Sequence, residues 1–102
     1  MSKAKKTVLS DDHAVALADL FRLLGDPSRL KIVVACLRTP LAVSDIAERL
    51  GLSVSLVSHH LRLLKGARLV RADRQGKQIF YGADDMHVRR MVEDMVTHIG
   101  EQ

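Results

Sequence analysis

Residues 44–66, SDIAERLGLSVSLVSHHLRLLKG, decide the fold that this sequence predicts. A short helix is expected from Ser44 to Leu50, ending at Gly51. Ser53 then caps a longer helix from Val54 to Lys65, which Gly66 closes. Two helices joined by a tight turn that contains glycine form a helix-turn-helix.

The second of these helices has two different faces. The apolar residues recur at spacings of three and four and are expected to point inward: Val54, Val57, Leu61 and Leu64. Another stripe carries hydroxyl, imidazole and guanidinium groups, namely Ser55, Ser58, His59 and Arg62, with Lys65 at the end. Such groups suit base edges and phosphates in a DNA major groove, whereas the alternative is an ordinary solvated face.

A β-hairpin is expected directly after the helix-turn-helix. Leu69–Asp73 and Gln78–Tyr81 are short β-prone runs, and the residues between them include Gly76. A hairpin in this place is a wing, whose tip would present Arg74, Gln75 and Lys77 to the DNA backbone or minor groove. Six cationic residues against Asp73 alone lie between Ser55 and Gln78, which favours a polyanionic partner.

The chain before residue 44 predicts two more helices. The first is capped within Ser10-Asp11-Asp12 and runs to about Leu24, and Gly25 stops it. Asp26-Pro27 starts the second, which Thr39-Pro40 ends. Its inward residues are expected to be Leu30, Val33, Val34 and Leu37. Residues 1–10, with Lys3, Lys5 and Lys6, are expected to form a flexible basic arm, and residues 11–102 a single domain.

The last predicted helix runs from about Asp85 to Glu101 and carries one apolar stripe, formed by Val88, Met91, Val92, Met95 and Ile99. It also carries four potential metal ligands: Asp85, His87, His98 and Glu101. His87 and His98 are eleven residues apart, so they project from nearly the same side but are separated by roughly 16 Å along the axis. Bonds to a divalent ion are about 2 Å long, so one straight helix does not bring both histidines to one ion.

Two antiparallel copies of this helix would solve that problem. The Asp85 and His87 end of one copy would lie beside the His98 and Glu101 end of the other, giving two equivalent four-ligand sites. The alternative is that these are surface histidines and acids, with Asp85 acting only as a helix cap. Five acidic residues against two arginines from Asp84 onward favour cations in this region.

The composition bounds the class of protein. A chain of 102 residues with a formal net charge of +4 and a pI near 9.6 is one small, basic domain. Cys36 is the only cysteine and lies in an apolar run, so we expect a buried structural thiol. The sequence contains neither a membrane-spanning run nor the apolar core of a signal peptide, and a cytoplasmic location is expected by default.

Taken together, several motifs resemble the ArsR/SmtB family of winged-helix repressors: Leu24-Gly25-Asp26-Pro27-Ser28-Arg29-Leu30, Ser44-Asp45-Ile46-Ala47, Val57-Ser58-His59-His60-Leu61, Leu69-Val70, Arg74-Gln75-Gly76-Lys77 and Tyr81. The resemblance covers nearly the whole chain from about Asp12. It implies a mainly α winged helix-turn-helix with a β-hairpin wing, a homodimer joined through its terminal helices, and binding to double-stranded operator DNA that a metal relieves. It gives no reason to expect an enzyme, a small-molecule substrate or a membrane partner.

One subgroup of that family senses metal through Asp-x-His-x10-His-x2-Glu/His in the paired terminal helices, and Asp85, His87, His98 and Glu101 match this pattern. In that subgroup the distal imidazole, here His98, is thought to hydrogen-bond toward the second helix of the helix-turn-helix, called the recognition helix, near His60. Another subgroup uses a Cys-x-Cys pair before the helix-turn-helix, where this chain has Ala42-Val43-Ser44-Asp45, so sensing through thiolates is disfavoured. Gly100 is expected to loosen Glu101.

The donor set suits Zn²⁺, with Co²⁺ as a substitute, whereas Ni²⁺ prefers more ligands. The interpretation is therefore a metal-responsive repressor that leaves its operator when Zn²⁺ or Co²⁺ bridges the dimer. One alternative is a repressor of the same fold that responds to Ni²⁺, Co²⁺ or a non-metal effector and has a structural or vestigial metal site. A metallohydrolase lacks a His-Glu-x-x-His motif and room for a substrate cleft, and a protein-interaction domain without DNA is the remaining alternative.

Overall fold

The computed structural model describes residues 8–101, which form five helices and three short strands. The helices are α1 (Asp11–Leu24), α2 (Pro27–Ala35), α3 (Val43–Leu50), α4 (Val54–Gly66) and α5 (Met86–Gly100). The strands are β1 (Leu41–Ala42), β2 (Val70–Gln75) and β3 (Gln78–Ala83). The predicted basic arm falls mostly on residues 1–7, including its three lysines, which lie outside the described residues.

The predicted starts of α1 and α2 are confirmed, and each is set by a side chain next to the helix. The hydroxyl of Ser10 accepts the N–H of His13 at 3.1 Å, and the carboxylate of Asp26 accepts the N–H of Ser28 at 3.3 Å, with Pro27 as the first helical residue. These caps satisfy backbone donors that have no partner within the helix.

The predicted helix-turn-helix is also confirmed. Gly51 ends α3 in the left-handed conformation, with φ of 68°, and the hydroxyl of Ser53 accepts the N–H of Leu56 at 3.1 Å to start α4. The helix α4 ends at Gly66, one residue beyond the predicted end at Lys65, but Gly66 does not make the left-handed closure. Gly66 is still helical, and the left-handed residue is Arg68, with φ of 63°. The N–H of Leu69 donates to the carbonyl of Leu64 at 2.9 Å, so the chain reverses two residues later than the glycine indicated.

The wing is a longer hairpin than the sequence predicted. Its strands pair from Val70 opposite Ala83 to Gln75 opposite Gln78, so that only Gly76 and Lys77 form the turn. Gly76 has φ of 66°, as the first central position of a tight hairpin turn requires. The unpredicted strand β1 pairs with β3, placing Leu41 opposite Tyr81, and ties the wing to the start of α3. Two residues are too few to show a strand pattern.

The core lies where α2, α3 and α4 meet the base of the sheet. Ile32, Ile46, Leu61, Leu64 and Leu69 are among its fully buried side chains. Three predicted inward residues are instead exposed: Leu30, Val34 and Val54. Leu30 and Val34 line a groove on the open side of α2, and Val54 lies in the first turn of α4, ahead of the first buried residue, Val57.

The terminal helices bury little apolar surface in the single chain. In α5 only Val92 is fully buried, whereas Met95 and Ile99, from the same predicted stripe, are 55% and 65% exposed. In α1 only Leu24 is buried, and Phe21 is 53% exposed. Within residues 8–101 no helix is both long enough and apolar enough to cross a membrane.

Candidate nucleic-acid interface and metal centre

The outward face of α4 carries the predicted DNA-contacting residues. Ser55, His59, Arg62 and Lys65 are exposed and Ser58 is half-buried, while Val57, His60, Leu61 and Leu64 are buried on the opposite side. The hydroxyl of Ser53 is used as an acceptor in the helix cap, which leaves its hydrogen free to donate. Val54 adds an exposed apolar side chain to the same end of the helix.

The tip of the wing presents two more cations. Arg74, Gln75 and Lys77 are all exposed, and the Nη1 of Arg74 donates to the carbonyl of Gly76 at 3.5 Å. Further down β2, the guanidinium of Arg71 lies 3.5 Å from the carboxylate of Asp73, so the one acidic residue of this stretch is paired. The α4 face and the wing tip therefore offer donors and positive charge without a competing free carboxylate between residues 55 and 78.

His60 is held by residues that the sequence reasoning missed. Its Nδ1 accepts a hydrogen bond from the Nε of Arg29 at 3.2 Å, and its Nε2 lies 3.9 Å from the carboxylate of Asp26. Burial lowers the pKa of His60, and the carboxylate of Asp26 offsets part of that effect. The only signal in the sequence was the Asp-x-x-Arg spacing at the start of α2, which places both residues on one side of that helix.

The start of α5 forms half of the predicted metal site. The Oδ1 of Asp85 accepts the N–H of Val88 at 3.0 Å and caps the helix, while its Oδ2 lies 3.7 Å from the Nδ1 of His87. The hydrogen bond from Val88 and the nearby His87 lower the pKa of Asp85, so its carboxylate is ionised at neutral pH. Capping thus leaves one carboxylate oxygen beside an imidazole, and both side chains are open to solvent.

The end of α5 carries the other two predicted ligands. His98 and Glu101 are exposed, and the N–H of Glu101 donates to the carbonyls of Thr97 and His98 at 3.1 and 3.3 Å. Gly100 is the last helical residue, so Glu101 remains hydrogen-bonded to the last turn. The helix thus ends at Gly100, as the sequence indicated, and the loosening of Glu101 stays a prediction.

Neither half is a complete metal site. Across residues 8–101 of one chain, no three His, Cys, Asp or Glu side chains lie close enough together to hold an ion. Each end of α5 offers two donors, whereas tetrahedral Zn²⁺ needs four. The residues therefore fit a metal if two chains each contribute one end of α5.

An apolar groove lies beside these half-sites. It has a volume of about 460 Å³ between the end of α1 and α5, and its walls are almost wholly apolar: Phe21, Leu24, Gly25, Leu30, Met91, Val92, Met95, Val96 and Ile99. A large exposed apolar patch in a small chain marks an interaction surface.

A helix-turn-helix whose second helix presents a polar, cationic face, followed by a charged hairpin, defines a winged-helix DNA-binding domain. Residues 26–72 match the family model described as bacterial regulatory protein, arsR family. The chain is also 39% identical, over 92% of its length and 71% of the relative's, to a transcriptional repressor SmtB homolog from a Synechocystis species. This chain belongs to the arsR family of bacterial transcriptional regulators.

Two further comparisons agree. A cadmium resistance transcriptional regulatory protein CadC homolog from Staphylococcus aureus is 36% identical over 96% of this chain and 81% of that protein. The homodimeric winged helix-turn-helix DNA-binding domain of a possible ArsR-family regulator from Mycobacterium bovis is 26% identical, with a TM-score of 0.79 over 94% of this chain and 91% of that chain. The predicted fold and family are confirmed, and the chain is a regulator rather than an enzyme.

Proposed function

We propose that this chain is a metal-responsive repressor whose metal-free homodimer binds operator DNA in the cytoplasm. Zn²⁺, or Co²⁺ in its place, binds across the dimer interface and lowers the affinity for DNA. The observation that carries the proposal is the division of four suitable ligands into two pairs at opposite ends of α5, beside an exposed apolar face. Neither pair suffices alone, so occupancy of the site depends on how two chains are arranged.

The homodimer follows from the apolar surface that the single chain leaves open. A second copy that covers Phe21, Met95 and Ile99 removes side chains from water that are each more than half exposed. The related domain from Mycobacterium bovis is homodimeric, which supports the same arrangement. Antiparallel packing of the two α5 helices brings the Asp85 end of one against the Glu101 end of the other.

DNA is contacted by the α4 face and the wing. Ser53, Ser55, Ser58, His59, Arg62 and Lys65 enter the major groove, where hydroxyls and imidazoles reach base edges and the cations reach phosphates. Val54, exposed at the start of α4, is an apolar side chain of the kind that contacts thymine methyl groups. Arg74, Gln75 and Lys77 follow the backbone from the wing.

Asp85 and His87 of one chain, with His98 and Glu101 of the other, are the proposed metal ligands. Two imidazoles and two carboxylates favour Zn²⁺ over softer ions. The relative named for cadmium resistance indicates that metals are effectors within the family. Thiolate ligation is disfavoured in this chain because Cys36 is fully buried and burial raises its pKa to about 11.

The response to metal depends on dimer geometry. Two recognition helices must enter major grooves about 34 Å apart, so a small rotation of one chain against the other prevents simultaneous docking. A coupling of ordinary size would weaken operator binding roughly 5- to 150-fold. His98 is the proposed ligand that transmits metal binding toward α4. Within the single chain, the ring nitrogens of His60 contact Arg29 and Asp26.

The test is operator affinity with and without Zn²⁺ for wild type, His98→Ala and His13→Ala. His13 is an exposed histidine of α1 outside the proposed site and serves as the matched control. We expect Zn²⁺ to weaken binding by wild type and His13→Ala but not by His98→Ala. An equal response in all three would remove His98 from the switch, and metal binding without any change in DNA affinity would favour a structural site and another effector.

A further inference from the structure

Arg29 joins three helices at the centre of the domain. Its Nη1 donates to the carbonyl of Leu23 near the end of α1 at 3.2 Å, and its Nε donates to the Nδ1 of His60 in α4 at 3.2 Å. Its guanidinium also lies 3.6 Å from the carboxylate of Asp26, the N-cap residue of α2. The side chains of Arg29 and His60 are only 22% and 9% exposed, so water competes little for these bonds.

These contacts define the protonation state of His60. Its Nδ1 must carry a lone pair to accept from Arg29, so the proton of the neutral ring lies on Nε2. Nε2 faces the carboxylate of Asp26, which favours that tautomer. The charged or titratable groups that face His60 are Asp26 at the N-cap of α2, Arg29 in α2 and its neighbour His59 in α4. The ring centroids of His59 and His60 are 5.9 Å apart.

The Arg29 bond constrains how α4 is rotated. His59 and His60 are consecutive, so their side chains diverge by about 100° around the helix axis. Holding His60 inward therefore sets the angle at which His59 and the rest of the DNA-contacting face point outward. Val57, Leu61 and Leu64 bury the same side of α4 and restrict its rotation through close packing, and the Arg29 bond adds a directional polar contact to that packing.

We propose that Arg29 is a positioning residue for DNA recognition, acting through His60 to hold the recognition helix α4 in its binding orientation. This inference rests on the proposed function, because it assumes that α4 enters DNA. In this proposal Arg29 acts through His60 and not through contact with DNA. Its contribution is the geometry of a helix that other residues use.

The first experiment replaces Arg29 without changing charge. Arg29→Lys keeps the cation but lacks the planar fork that bonds two acceptors at once. Arg22→Lys is the matched control, since Arg22 forms an exposed 2.7 Å ion pair with Asp19 in α1 and, within residues 8–101, its side chain makes no hydrogen bond or ion pair to another helix. The probe is a duplex obtained by in vitro selection on the wild-type chain. We expect Arg29→Lys to bind it about tenfold more weakly, the order expected for a charge-assisted hydrogen bond, and Arg22→Lys to bind as wild type.

The second experiment separates positioning from stability. His60→Asn places an amide oxygen near the position of Nδ1 and keeps an acceptor for Arg29, whereas His60→Leu fills the site with an apolar side chain. We expect both to be folded by circular dichroism, His60→Asn to retain most of the DNA affinity and His60→Leu to lose about as much as Arg29→Lys. If His60→Leu is folded and binds like wild type, the network serves only the fold and the inference is overturned.

A pH series adds a readout that a purely structural role would not move. Protonation removes the lone pair of Nδ1, so the affinity of wild type relative to His60→Asn should fall as the pH drops below the pKa of His60, which burial holds below its ordinary value of about 6.5. Taking that ratio cancels the titration of His59, which both proteins share. A ratio that stays flat from about pH 7.5 down to the lowest pH at which both proteins remain folded would contradict the inference. Failure of the wild-type chain to select any DNA would overturn the proposed function first and the inference with it.

Discussion

At the scale of single residues, burial changes the chemistry of Cys36 and His60. Both lie in the core or at its edge, and in both the neutral form is favoured, because charge is costly to bury. The thiol of Cys36 donates to the carbonyl of Ile32 at 3.4 Å in the manner of a small core residue. His60 accepts from Arg29 only while it is neutral.

The buried thiol predicts slow alkylation. Cys36 has a pKa of about 11 and no exposed surface, so iodoacetamide should react with the native protein at least about 100-fold more slowly than with protein in urea. Mass spectrometry over a denaturant series measures this, and reaction should follow the unfolding transition. Equal rates in native and unfolded protein would show that the thiol is accessible.

The lowered pKa of His60 predicts a loss of stability in acid. Below about pH 6.5 the unfolded chain protonates this imidazole before the folded chain does, so the unfolded state binds more protons. The free energy of unfolding should therefore fall between pH 7 and 5.5, and it should fall less in His60→Leu. Urea titrations at each pH measure the difference, and parallel curves for the two proteins would contradict the assignment.

At the scale of elements, the connection from α4 to β2 depends on one strained residue. Arg68 has φ of 63°, a conformation that costs an L-residue roughly 1 to 2 kcal/mol. The hydrogen bonds from Arg68 to Lys65 and from Leu69 to Leu64 hold it there, at 3.0 and 2.9 Å. The strained residue leads the chain from the recognition helix into the wing.

Arg68→Gly should relieve this strain. We expect the free energy of unfolding to rise by up to about 1 kcal/mol, because glycine adopts a positive φ freely, although its unfolded state is also more flexible. Gly51→Ala is the opposite test at a left-handed position that already has glycine and should be destabilising by about 1 kcal/mol or more. If Arg68→Gly were less stable than wild type, the arginine side chain of the wild-type protein would have to make stabilising contacts.

The wing should contribute charge rather than sequence specificity. Arg74→Ala and Lys77→Ala should each lower the magnitude of the slope of log affinity against log salt by about 1 and weaken binding to all sequences alike. Lys31→Ala is the control. Lys31 lies on the open side of α2 and is distant in the chain from both DNA-contacting elements. Unchanged slopes for both wing variants would place the wing away from phosphates.

At the scale of the whole molecule, two functions share one helix. The first half of α5 packs on its own chain through Val88, Met91 and Val92, whereas the second half leaves Met95 and Ile99 exposed. In the proposed dimer the same exposed half carries His98 and Glu101. Assembly and metal binding are therefore proposed to depend on the same surface.

A charge in this surface should separate the chains. Ile99→Glu should give a monomer in analytical ultracentrifugation, lose cross-chain metal binding and bind operator far more weakly, because only one recognition helix remains per particle. Ile79→Glu places the same charge on a partly exposed apolar residue of the wing and should remain dimeric. A dimeric Ile99→Glu protein, or a wild-type monomer loaded with one equivalent of Zn²⁺, would contradict the cross-chain site.

The sequence by itself determined the features that depend on neighbours within a few residues. The caps at Ser10, Asp26, Ser53 and Asp85, the glycine turn at Gly51 and the spacing along α5 are local, so composition and periodicity were enough to predict them. Only the tertiary structure decided the pairing of β1 with β3, the exposure of Val54 and the bond between Arg29 and His60, which are 31 residues apart. Those features depend on how helices pack against one another, and a packing angle is set by all the contacts in the core at once rather than by any single stretch.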